Sequence, residues 1–224
     1  MCNQYLRTKA IGAYRDEFSQ IRLPLVFPAP HATPNLAPQP EVKPTDMAPI
    51  IRRRDEGVEL VMARWWLIPW WHRGTLKAFR LATFNARSET VATNRAFKDA
   101  FARRRCLIPV DGWFEYTGDT KKDRVKWRIT PREGDALCLA GVWDRCETTD
   151  AGTVESFTML MRDAAPPLDR LHTRQPVILR QENWATWLDS DVDVTPLYAL
   201  ENGDRFAVEP VSGQAPLPQT LGTG

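Results

Sequence analysis

The sequence predicts an α+β fold, a single domain dominated by antiparallel strands with one clear helix and a few short ones. Three observations predict it. Between residues 106 and 164, short β-prone runs (CLIPVDGWFEYTG, DRVKWRITPR, ALCLAGVWDR, VESFTMLMRDA) follow one another across turn signals. The stretch ETVATNRAFKDAFAR at 89–103 lacks Gly and Pro, and Val91, Ala96, Phe97, Ala100 and Phe101 recur in it at three- and four-residue spacings. At 224 residues, with 43% hydrophobic and 26% charged residues, the chain has the length and composition of one globular domain.

The elements follow in order. Residues 24–49 are proline-rich, which favours extended or loop structure; Leu25, Val26, Phe27 and Leu36 are available to anchor that stretch to a core. GVELVMARWWLIP reads as a strand pair, or a strand with a turn. Over 89–103 the periodicity predicts an amphipathic helix, with Ser88 as N-cap, Glu89 in the first turn and Arg103–Arg105 at the C-terminal end. The β-prone runs come next, then APPLDRLHTRQPVIL as a loop leading into a short strand. QENWATWLD reads as a short helix packing Trp184 and Trp187, and RFAVEPVS as a last strand before a Pro/Gly-rich tail expected to be mobile.

Several classes are disfavoured by composition. No apolar run approaches the ~20 residues of a membrane span. The N-terminus has no apolar signal core, so a cytoplasmic location with reduced thiols is expected. Cys2, Cys106, Cys138 and Cys146 form no CxxC pair, which argues against a zinc ribbon; no metal and no cofactor are expected. The net charge of +2 hides an asymmetry. From Arg52 to Arg105 there are 13 Lys/Arg against 5 acidic residues, a local charge of +8 that leaves −6 for the remainder. Such a segment suits a polyanion, although charge alone suits a solvated face equally.

Five features can carry chemistry, each with a plain structural alternative. Cys2 would become the N-terminal residue if Met1 were removed, and would then hold an amine and a thiol on one residue. With reference pKa values of roughly 7.7–8.0 and 8.5, both groups are reactive near neutrality. Such a 1,2-aminothiol condenses with an aldehyde and closes a thiazolidine ring, which a thiol alone does not do. Asn85 in FNARSE offers an amide and Arg87 a bidentate phosphate clamp, although loop and cap roles suit Asn as well. Glu115 sits among Trp113, Phe114 and Tyr116: desolvated there it would be a base of raised pKa, whereas on the other face of an alternating strand it would point to solvent. His172 lies in a loop beside Arg174, with His31 and His72 in weaker contexts. WWLIPWWHRG gathers Trp65, Trp66, Trp70, Trp71 and Arg73; about half of these tryptophans suit a core by alternation, the rest a base-stacking surface.

These pieces occur together in an order that resembles the SOS-response-associated peptidase (SRAP) family, the abasic-site processing proteins that crosslink to DNA. The resemblance runs through MC at the start, NLAP at 35–38, WWLIPWW at 65–71, FNARSET at 84–90 and RRRCLIPVDGWFEY at 103–116. It continues through AGVWD at 140–144, FTMLMRDA at 157–164 and LHTRQPVIL at 171–179. It implies a compact, barrel-like α+β domain over residues 1–215, with 216–224 as the tail. It also implies Cys2 as the nucleophile that joins the abasic-site aldehyde, Asn85 positioning the N-terminus and the sugar, Glu115 moving protons at the amine and thiol, and His172 assisting sugar opening and crosslink reversal. Arg87, Arg73, Arg174, Trp70 and Trp71 would hold flanking DNA. The implied partner is single-stranded DNA carrying abasic sites, and the expected protein is a monomer near the nucleoid of a bacterial host.

The opening departs from the family's usual Met-Cys-Gly-Arg, with Asn3 and Gln4 in place of glycine and arginine, and Gln175 stands where methionine is common. Two other functions compete with covalent capture and possible lyase action. One is a cysteine peptidase using Cys2 and His172, acting mainly to remove Met1. The other is a non-covalent single-strand binding module.

Overall fold

The computed structural model describes residues 2–9, 18, 25–26, 37–54, 57–120, 122–132, 137–199 and 203–211. Phe27, His31, Leu36 and the predicted tail lie outside them. The described residues hold fourteen strands in two sheets. The larger contains β4 (Met47–Arg54), β5 (Gly57–Trp65), β7 (Arg105–Val110), β10 (Leu137–Thr148) and β11 (Gly152–Asp163). These run in the order β11-β10-β7-β4-β5 with antiparallel neighbours. A parallel pairing of β5 with β11, Arg64 opposite Ser156 and Trp65 opposite Phe157, closes the five into a barrel. Closure leaves no open edge among these five strands. β2 (Leu25–Val26) adds to β5, as the anchoring role of Leu25 and Val26 anticipates.

The second sheet has the order β14-β9-β8-β1-β3. It is built from β1 (Tyr5–Arg7), β3 (Gln39–Val42), β8 (Gly112–Thr117), β9 (Val125–Pro131) and β14 (Phe206–Pro210). Alternation along the barrel strands feeds two cores. Cys106, Ile108 and Val110 of β7 pack with Tyr5, Trp113, Trp127, Ile129 and Phe206 of the second sheet. Leu107 faces the other way, into a core with Trp184, Trp187 and Leu188. All six residues of β7 are therefore buried, and after Arg105 the strand reads as an unbroken apolar run.

The short helix predicted around Trp184 and Trp187 is present as α2 (Trp184–Leu188), with both indoles fully buried and their Nε1 atoms donating to Leu179 O and Cys106 O. The helix predicted over 89–103 is shorter. Only α1 (Lys98–Arg103) is helical, and residues 88–97 are mostly turns. Ser88 therefore caps nothing; the N-cap position is Phe97, which makes no side-chain cap bond. The reason is local. The Thr93 N–H and hydroxyl both donate to Thr90 O, and Asn94 Oδ1 accepts from the Ala96 N–H, so polar residues with competing hydrogen bonds hold turns where periodicity alone favours helix. GVELVMARW forms one nine-residue strand, after which the chain leaves the sheet at Trp66, whose φ is 125°.

Gly112 starts β8 where the sheet is tightest. A Cβ there would lie 2.3 Å from Ile129 O and 3.0 Å from Leu6 Cδ2. Gly112→Ala is expected to cost about 2 kcal/mol through this overlap, a fall of roughly 6 °C in Tm by calorimetry. An unchanged Tm would mean that the β8–β9 pairing at Ile129 is looser than described.

Candidate functional site

Four segments meet where β1 leaves the N-terminus. β1 pairs with β8 through Tyr5–Trp113 and Leu6–Gly112, and Phe114 N–H donates to Gln4 O at 3.0 Å, which brings Cys2 next to Glu115. β6 (Asn85–Arg87) runs parallel to β11, with Asn85 opposite Met159. β12 (Arg174–Pro176) pairs with β11 on the far side of the His172 loop.

Asn85 makes the decisive contact: its Nδ2 donates to Cys2 O at 2.7 Å. Its Oδ1 is buried and accepts no hydrogen bond from the described residues. Cys2 is fully buried, and its Sγ donates to Gln4 O at 3.4 Å. Burial, followed by the nearby Glu115 charge, holds its thiol pKa well above the usual range. Glu115 is 4% exposed, so of the two faces open to it in the sequence the structure selects the desolvated one. That burial raises its carboxyl to about 7. His172 is half-buried, and burial lowers its pKa. Its Nδ1 accepts the Arg174 N–H at 3.0 Å, so the neutral ring carries its proton on Nε2.

A cleft of about 470 Å³ lies beside this group, lined by Asn3, Phe84, Tyr116, Gly118, Asp119, Thr120, Arg124 and His172. Of the four sequence-predicted reactive residues His172 lines this cleft, while Cys2, Asn85 and Glu115 do not but each adjoin a lining residue in sequence, Asn3, Phe84 and Tyr116. The predicted DNA contacts divide. Arg87 is exposed on β6, two residues from Asn85. The Arg174 guanidinium is already held by Glu89 at 2.8 Å and Asp163 at 2.6 Å, so its charge is neutralised. Trp70, Trp71 and Arg73 are not among the cleft residues. The Trp70 Nε1 donates to Asp99 and the Trp71 Nε1 to Arg95 O, while Arg73 lies 6.0 Å from the Trp70 ring and donates to Trp70 O. Of the four tryptophans, Trp65 is fully buried and Trp70 is 46% exposed. Trp66 packs on Phe84 with ring centroids 5.3 Å apart.

Sequence reading missed Arg124, Phe84 and Thr120 as cleft residues. Phe84 adjoins FNARSE and could have been taken with it. Arg124 and Thr120 belong to the β8–β9 turn, and only strand pairing shows that this turn reaches the cleft. No group of three or more His, Cys, Asp or Glu that could hold a metal occurs among the described residues, and none of their helices is long and apolar enough to cross a membrane.

The family model described as SOS response associated peptidase (SRAP) matches residues 1–215. The chain belongs to the SRAP family. Among curated relatives it is 28% identical over 152 residues to a Saccharomyces cerevisiae protein named abasic site processing protein YMR114C, covering 67% of this chain and 40% of that one. It is 28% identical over 126 residues to abasic site processing protein YoqW of Bacillus subtilis (56% and 55% covered). To abasic site processing protein YedK of Escherichia coli it is 29% identical over 169 residues (74% and 68%). The chain thus matches about half the length of the first two relatives. A crystal structure of a Bordetella bronchiseptica protein shares the SRAP fold of this chain at a TM-score of 0.75 and 28% identity, covering 94% of this chain and 99% of that one. A Bacteroides thetaiotaomicron protein, at a TM-score of 0.78 and 22% identity, has the same fold.

Proposed function

We propose that the protein captures abasic sites in single-stranded DNA by forming a thiazolidine between their aldehyde and Cys2, after Met1 has been removed. The single observation that carries this is the Asn85–Cys2 hydrogen bond, which ties the second residue of the chain to β6, next to the cleft residue Phe84 and near a carboxyl of raised pKa. The relatives' names, all abasic site processing proteins, point to the same lesion.

The steps balance without a cofactor. The Cys2 α-amine adds to the aldehyde of the ring-opened sugar and expels water, giving an imine. The thiol sulfur then adds to the imine carbon, its proton passes to the nitrogen, and the ring closes; one aldehyde and one aminothiol give one thiazolidine and one water. Asn85 Nδ2 fixes the Cys2 carbonyl, and its buried Oδ1 is an acceptor for the amine or a sugar hydroxyl. Glu115 takes up and returns the protons of amine and thiol. His172, with Nε2–H toward a bound sugar, donates to the ring oxygen as it opens, and the same group serves reversal. Arg87, exposed beside Asn85, holds a neighbouring phosphate.

The test is a denaturing gel of purified protein with a labelled single-stranded oligonucleotide carrying one abasic site, heated before loading, with an undamaged oligonucleotide alongside. A slower, heat-stable band with the lesion only is expected, together with an intact mass that shows Met1 gone. No band from protein lacking Met1 would overturn the proposal. Asn85→Ala is expected to slow band formation about tenfold, the loss of one hydrogen bond of ~1–1.5 kcal/mol that orients the nucleophile. A rate equal to the wild type would remove Asn85 from the mechanism.

The peptidase reading fits the site less well. A Cys–His peptidase needs a thiol of lowered pKa beside an imidazolium. Here burial shifts Cys2 up and His172 down, both toward the neutral forms.

A further inference from the structure

Resting on the reading above, we propose that Arg124 binds the phosphodiester that flanks the abasic sugar, as a substrate contact separate from Arg87. Arg124 lines the cleft together with His172 and Asn3. Its guanidinium carbon lies 4.2 Å from the centroid of the Tyr116 ring. Stacking of this kind uses the face of the guanidinium and leaves its N–H edges to fork onto two oxygens of a phosphate. The platform is tied to the reactive end of the chain: Tyr116 Oη donates to Gln4 Oε1 at 2.5 Å, two residues beyond Cys2. A cation held on Tyr116 therefore keeps its distance from the Cys2 backbone.

The charge of Arg124 is also available. No carboxylate of the described residues lies within the 4.0 Å of an ion pair from it, whereas Arg174 is paired with Glu89 and Asp163, and Lys126 with Glu41. Asp123, its neighbour in sequence, is engaged by the Thr120 N–H at 3.1 Å and by the Thr120 hydroxyl. Asp119 is the one carboxylate that lines the cleft among the described residues, and it disfavours any anion seated away from Arg124. The turn that presents Arg124 is fixed by Gly118, whose φ of +90° and Cβ position 2.3 Å from Asp123 O admit no larger residue. Arg124 is the one Lys or Arg among the described residues that line the cleft, so it supplies the positive charge there.

The experiment separates this contact from the covalent chemistry by using a single-stranded oligonucleotide with a tetrahydrofuran abasic analogue, which has no aldehyde. Affinity is measured against salt for wild type, Arg124→Gln and Arg124→Lys, all checked for unchanged Tm. Arg124→Gln is expected to bind about tenfold more weakly at low salt. The slope of log K against log[salt] should fall in magnitude by about 0.7, the loss of one single-strand phosphate contact. Arg124→Lys should keep the slope and lose affinity severalfold. Replacing the phosphodiester on one side of the analogue by a neutral methylphosphonate should weaken the wild type and leave Arg124→Gln unaffected. A wild-type slope in Arg124→Gln, or equal sensitivity of both proteins to the methylphosphonate, would overturn the assignment. If Arg124 passes this test but a natural abasic site gives no adduct, the phosphate contact stands and covalent capture falls.

Discussion

Cys2→Ser is expected to abolish the heat-stable adduct with abasic single-stranded DNA while leaving the fold intact. The side chains are nearly isosteric, and the serine hydroxyl can donate to Gln4 O as the Cys2 Sγ does at 3.4 Å. The α-amine of the variant still condenses with the aldehyde. What is lost is closure by sulfur, so the product stops at an imine that water reverses on heating. Borohydride reduction before heating should therefore rescue a band in Cys2→Ser, because it converts the imine to a stable secondary amine. The pair of results assigns separate steps to nitrogen and sulfur. A heat-stable band from Cys2→Ser without reductant would end the thiazolidine mechanism.

The second large effect is expected at Glu115, in both rate and stability. Because burial holds the thiol protonated, ring closure needs a base, and a carboxyl raised to about 7 is suited to that role at neutral pH. The wild-type rate of adduct formation should rise about tenfold per pH unit below 7 and level off above it. Glu115→Gln should lower the plateau by about 10²-fold, the lower end for loss of a general base, and flatten this rise. Stability moves the opposite way. The carboxyl pKa is raised in the folded state relative to its ordinary value of 4.5, so the folded protein binds the extra proton and stability falls as pH rises from about 4.5 to 7. Glu115→Gln removes that slope, so its Tm at pH 8 should exceed that of the wild type. A Tm for Glu115→Gln below the wild type at pH 8, with no change in slope, would show that Glu115 is a structural group and not a destabilised base.

The position of the candidate reactive residues shows why a single sequence exposes some of this site and hides the rest. Cys2, Glu115 and His172 each show in sequence by an unusual setting, a thiol at the chain start, a carboxylate among aromatics and a histidine in a loop, whereas Asn85 sits in a stretch that suits a plain loop role as well. That Asn85 donates to the Cys2 carbonyl, 83 residues away, depends on β6 pairing with β11 and β1 with β8. Trp70 and Trp71 read as stacking surface for bases because four tryptophans crowd one segment, yet their indole N–H groups are engaged by Asp99 and Arg95 O. Arg174 reads as a phosphate ligand in sequence, and only the structure shows that Glu89 and Asp163 pair with it.

By itself the sequence determined the strand-dominated class, the main strands and the Trp184–Trp187 helix, and it singled out the four candidate reactive side chains. These follow from local alternation, turn residues and composition, which act over a few residues. The tertiary structure decided what depends on distant partners. It closed five strands into a barrel through the β5–β11 pairing. It confined the predicted 89–103 helix to Lys98–Arg103, because side-chain and turn hydrogen bonds compete over the N-terminal half. It buried Glu115, raising its pKa, and it brought Arg124 from a hairpin turn to the cleft. Burial, desolvation and ion pairing are properties of neighbours in space, and one strand's sequence does not carry the identity of the strand beside it.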